Sequence, residues 1–167
     1  MFPSHDRADT TDGAPVTFTK DIEVVSAADD KLFSNDDDLL RHEPQILDWV
    51  VQGRNTYKDM HRRAQTLILD FFRVKGWRNL DKSNVTKDEI LDILEVKEWS
   101  TYMVLKLIME GRSNQTDDIY REKAKIYESK MIDARESVFL LYDWNKDGEI
   151  TDSEKMNRFN VIDVEKR

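Results

Sequence analysis

The residues best suited to chemistry lie in one stretch, Asp143-Trp144-Asn145-Lys146-Asp147-Gly148-Glu149-Ile150-Thr151-Asp152-Ser153-Glu154. Oxygen-bearing side chains fall at alternate positions, Asp143, Asn145 and Asp147, and a glycine follows them. In a tight loop such alternation turns the oxygens toward one point, and calcium, a hard cation, takes six to eight oxygens at flexible distance. Gly148 supplies the positive φ at which the chain turns back. Glu149, Thr151 and Glu154 add further oxygens within the same stretch. Thr151 and Glu154 also make a T-x-x-E capping box, so residues that bind the metal start a helix running on through Met156 and Phe159. The plainer alternative is an Asp/Asn/Gly-rich turn between two helices. Such a turn needs neither Asn145 between two aspartates nor a glutamate at the twelfth place.

The stretch resembles the calcium loop of the EF-hand superfamily at every defining position of D-x-[DN]-x-[DN]-G-x5-E. The resemblance implies an all-α fold of helix–loop–helix hands and one bound calcium ion, with magnesium as competitor. Its ligands would be Asp143, Asn145, Asp147, Glu149, Thr151 and Glu154. It also implies a partner hand, joined by a short β-bridge at Ile150. Upstream, Val85-Thr86-Lys87-Asp88-Glu89 repeats the grammar of residues 150–154 and follows Phe71, Phe72 and Trp77. Counting back eleven places from Glu89 sets Arg78, Leu80 and Lys82 where ligands should stand, and two of these are cations. Residues 56–95 therefore look like a degenerate hand that keeps the shape without the metal, the calcium-binding hand being 130–162. Asp81, Ser83 and Asn84 offer oxygens only if the register shifts. The long helices between the hands are similar to the N-terminal half of invertebrate sarcoplasmic calcium-binding proteins and calexcitins.

Helical periods must position these loops. No proline follows Pro44, and Gly53, Gly76, Gly111 and Gly148 are widely spaced, so the breakers mark segment ends. Pro44 suits the first turn of a helix through Trp49 to Gly53. Asn55 caps a second helix, whose stripe Tyr57, Met60, Ala64, Leu67, Ile68 and Phe71 recurs at three- and four-residue steps to Gly76. A third helix follows Thr86 and Glu89 and runs to Gly111. A fourth begins after Thr116, with Asp117 and Asp118 at the positive end of its dipole, and continues through Val138 to Tyr142. No segment alternates convincingly at period two.

Charge divides the chain of 167 residues unevenly. Of the net −8, residues 1–40 hold −7, leaving residues 41–167 at −1. The first forty residues read as a disordered acidic tail, too poor in apolar surface to offset ordering entropy. Residues 41–167 read as the folded domain. This balance excludes a nucleic-acid binder, which needs a basic face. Apolar runs are too short to span a bilayer. With no cysteine and no apolar h-region after Met1, a cytoplasmic protein is expected. His5, His42 and His61 show no clustered partners, and no nucleophile–base pair or phosphate loop is visible, so no enzyme is expected. Trp49, Trp77, Trp99, Tyr102, Met103, Leu107 and Met109 read mainly as core, and secondarily as a groove for a partner helix. The functional expectation is a calcium-binding regulatory protein that couples the loop to helix rearrangement and partner binding. The alternative is a non-switching adaptor domain stabilised by calcium or magnesium, and one site per 19.8 kDa is poor capacity for a buffer. A homodimer that completes the hand is compatible with either.

Overall fold

A computed structural model describes residues 31–51, 53–113, 118–149 and 151–152, together with the backbone of 159–160. The described fold is almost wholly helical: α1 (Asp36–Leu40), a 3-10 turn (Ile46–Trp49), α2 (Lys58–Val74), α3 (Ile93–Arg112) and α4 (Ile119–Ser137). Two-residue strands β1 (Phe139–Leu140) and β2 (Phe159–Asn160) pair antiparallel, with Leu140 opposite Phe159. α3 lies between α2 and α4, which explains its wide buried face from Val96 through Trp99 and Val104 to Met109. Two packed clusters result. One surrounds Phe72, Trp77 and Trp99 at the loop end, and the other surrounds Leu39, Ile46 and Leu105.

The folded part starts earlier than the charge division suggests. Residues 31–40 were expected in the tail, yet Phe33 and Leu39 are fully buried. Asn35 and Asp38 form a reciprocal capping box for α1, at 3.2 and 3.1 Å. The Asp36 carboxylate in turn accepts from the Tyr57 N–H at 3.2 Å. It thereby serves the start of α2, whose own N-cap residue, Tyr57, makes no side-chain capping bond. Asn55 was expected in that place. Residues 1–30, the rest of the expected tail, lie outside the described residues.

Other boundaries also differ, for local reasons. The helix expected from Pro44 to Gly53 is only the four-residue 3-10 turn. α3 begins at Ile93, capped by Asp92, and not just after Thr86. Glu89 is turned inward and Ile90 bridges to Tyr142, so the chain there is committed elsewhere. α4 stops at Ser137, well short of Tyr142. Beyond it Val138 and Leu140 are buried while Phe139 is exposed, a period-two pattern that suits β1. On α2 the buried line is His61, Ala64, Gln65, Ile68 and Phe72, with Leu67 exposed. Two polar residues therefore face inward.

Candidate metal centre

The loop after β1 winds around the Asp143 carboxylate. Asp143 is only 4% exposed. Its Oδ1 accepts from the N–H groups of Lys146 at 2.6 Å and Asp147 at 3.2 Å, and its Oδ2 from that of Gly148 at 2.8 Å. Asn145 Oδ1 accepts from the Asp147 N–H at 2.9 Å, and Asp147 Oδ1 from the Glu149 N–H at 2.8 Å. The winding requires left-handed backbone at Lys146 (φ 63°) and at Gly148 (φ 79°). Three successive alternate side chains are thus held by main-chain donors of the same loop.

These residues fit a calcium ion by donor chemistry. Asp143 and Asp147 offer carboxylate oxygens and Asn145 its amide oxygen, and Asp143 Oδ2, Asn145 Oδ1 and Asp147 Oδ1, each holding one amide, keep a second lone pair. Glu149 and Asp152 are exposed and Thr151 is half-buried. Ile150 and Glu154 lie outside the described residues, so the expected β-bridge and the closing carboxylate lie there too. Among the described residues, no three Asp, Glu, His or Cys side chains form a metal-holding group.

The upstream loop stands beside this one. Leu80 N–H donates to the Trp144 carbonyl at 2.9 Å, Asp143 N–H donates to the Glu89 carbonyl at 2.8 Å, and Ile90 bridges Tyr142. Phe72, Trp77 and Tyr142 stack in series, with ring centroids 5.0 and 5.4 Å apart. Trp144 is half-buried and lines a cleft of about 280 Å³ between the loops.

The register of the upstream loop differs from the count back from Glu89. Arg78 forms an antiparallel bridge with Asn84 and points its guanidinium at the carbonyls of Arg73 and Trp77. Leu80 is exposed. The polar side chains that gather at this loop are Asn79 and Glu89, both buried, with half-buried Ser83 and exposed Asp81, one residue out of step with Arg78, Leu80 and Lys82. Lys82 instead takes the left-handed conformation (φ 66°), as Lys146 does in the second loop. Asn79 holds the place that Asp143 holds downstream, and Glu89 follows it after ten residues where Glu154 follows Asp143 after eleven. One residue fewer in the loop accounts for the offset.

Away from the loops, His61 has partners that its sequence neighbourhood does not suggest. Its Nδ1 lies 2.8 Å from Ser34 Oγ and its Nε2 3.2 Å from Asp36 Oδ1, while Ser34 Oγ lies 2.7 Å from Ser100 Oγ. Burial holds the imidazole pKa below its ordinary value, against an opposing pull from Asp36. In the neutral ring Nε2–H donates to Asp36, so Nδ1 accepts from Ser34 and the Ser34 oxygen is left to accept from Ser100. Ser34, His61 and Ser100 are 4%, 1% and 0% exposed, so the serine–histidine–aspartate order, open to solvent only at Asp36, is a relay pinning residues 34–36 to α2 and α3.

Of the aromatic groove, Trp77, Trp99 and Met109 are buried in the core. Tyr102 and Met103 pack partly buried against both clusters. Trp49, also half-buried, lies under the Arg112 guanidinium at 5.1 Å. No helix among the described residues is long and apolar enough to cross a membrane. Compared with family models, curated proteins and solved structures, the chain matches none.

Proposed function

We propose that the chain is a calcium-binding regulatory protein of EF-hand type, taking one calcium ion in the loop 143–154 through Asp143, Asn145, Asp147, Glu149, Thr151 and Glu154. The observation that carries the proposal is the winding of residues 143–149 around a buried carboxylate, with oxygen donors at alternate positions. Magnesium, which demands stricter octahedral geometry, competes weakly. In the regulatory mechanism the metal draws the ligands inward. The strain passes to α4 through β1, and to α2 and α3 through the neighbouring loop. The ion supplies the free-energy difference between two helix arrangements. A partner would then meet apolar side chains in the upstream loop and at the ends of the helices flanking it, where Leu80, Val74 and Leu94 are 69–80% exposed. The mechanism contains no catalytic step.

Terbium titration tests the site, because Trp144 and Tyr142 can sensitise a lanthanide bound beside them. Luminescence is expected to rise to saturation, and Glu154→Gln to weaken the apparent affinity at least tenfold. An unchanged titration in that variant removes the loop as the metal site. Hydrogen exchange tests the switch. Calcium that slows exchange only within 143–154, leaving α2 and α4 unchanged, favours the non-switching adaptor instead.

A further inference from the structure

The upstream loop already holds a cation, supplied by its neighbour. Lys146 reaches out of the downstream loop and places its ammonium 2.9 Å from Asp81 Oδ2, 2.8 Å from Ser83 Oγ and 3.9 Å from Glu89 Oε1. Glu89 is 8% exposed, and its other oxygen is held by the N–H and hydroxyl of Thr86. Asn79, 3% exposed, sits at the inner wall of the same group. Its Nδ2 is 3.0 Å from Ser83 Oγ and 3.4 Å from Glu89 Oε1, while its Oδ1 has no hydrogen-bond partner. A buried amide oxygen without a donor is costly and uncommon. An ammonium can give three hydrogens but cannot reach every oxygen of a cage at once, whereas a divalent ion accepts oxygens from all sides.

We propose that Asn79, Asp81, Ser83 and Glu89 form a second divalent-cation site, of the hard-ion class suited to calcium, whose present occupant is the Lys146 ammonium. A metal entering it displaces Lys146, takes the Asn79 oxygen as a ligand, and shortens oxygen contacts of 2.8–2.9 Å toward the 2.3–2.6 Å that calcium prefers. With two carboxylates and a tethered competitor, the site is weaker than one with three or four carboxylates. Because Lys146 belongs to the downstream loop, its release changes the charge beside Asp143 and Asp147, so occupancy of either loop is felt by the other. The proposal does not rest on the loop 143–154 binding metal.

Equilibrium dialysis with calcium, on the full chain carrying Glu154→Gln, isolates the upstream site. One equivalent is expected to bind. Adding Lys146→Met should tighten it about tenfold, by removing a partly screened competing charge, and adding Asp81→Asn should weaken it at least tenfold. Far-UV circular dichroism checks that each variant is folded, and Asp81 and Lys146 are exposed enough to be replaced without disturbing the core. Absence of calcium binding by folded Glu154→Gln/Lys146→Met at millimolar calcium overturns the site, and equal affinity with and without Lys146 overturns its role as occupant. If Glu154→Gln binds calcium as the unaltered chain does and Asp81→Asn abolishes that binding, the upstream site stands and the assignment to residues 143–154 fails.

Discussion

His61 shows most clearly how one side chain ties sequence to stability. It is a polar residue on the inward line of α2, and its two ring nitrogens join Ser34 and Asp36 from a segment that composition assigns to a tail. Burial depresses its pKa, so the folded state keeps the ring neutral at pH values where the unfolded chain, near 6.5, begins to take a proton. The unfolded state then binds more protons, and stability falls as pH drops through 6.5 toward the lower folded value. His42, also depressed chiefly by burial, acts in the same direction. Thermal melts between pH 7.5 and 5.5 are expected to show this loss, at a slope of no more than about 1.4 kcal/mol per pH unit for each group. His61→Gln should be less stable at neutral pH and show a shallower slope. A slope identical to that of the unaltered chain would contradict a neutral buried imidazole.

At the scale of elements, the aromatic seam joins helix to loop. Phe72, at the end of α2, is fully buried, stacks on Trp77 and meets Trp99 edge-on at 5.7 Å. Phe72→Ala is expected to cost about 3–5 kcal/mol by lost burial and the cavity left behind. Urea denaturation with a lowered midpoint and an unchanged slope checks this. Much of the helical layout was legible in the sequence: α2, α3 and α4 each occur close to where apolar spacing and glycine placement put them. The misses have physical causes. Leu67 was read into the α2 stripe and Phe72 left out because the inward line carries His61 and Gln65, which face polar groups of residues 31–36 and carry no apolar signal. The end of α4 was extended because Val138 to Tyr142 is too short a run for alternation to stand out. The register of the upstream loop was missed because a twelve-residue template cannot see a loop one residue shorter. Asn79, its inner-wall residue, is recognisable only once the backbone of the two loops can be compared.

For the whole molecule, what matters is that both loops meet at one end of a helical body whose other cluster, around Ile46 and Leu105, lies away from them. The candidate site was legible as a list of oxygens in residues 143–154. Its neighbour's dependence on Lys146 was not, since that contact joins residues 65 apart in sequence. That separation has a kinetic consequence. α3 and α4 are successive in sequence and pack by short-range closure, whereas the contacts of Trp77, Arg78 and Leu80 with Tyr142 and Trp144 must wait for a long stretch of chain to be drawn together. Docking of the loops therefore belongs to the late, downhill side of the folding barrier. Tyr142→Ala, which removes the Trp77 stack and the bond to the Arg78 carbonyl, should accelerate unfolding and leave the refolding limb of the chevron almost unchanged. Loop contacts that form last in folding also open first, so the end of the molecule that would receive a metal ion can part and reclose while the helices beneath it stay folded.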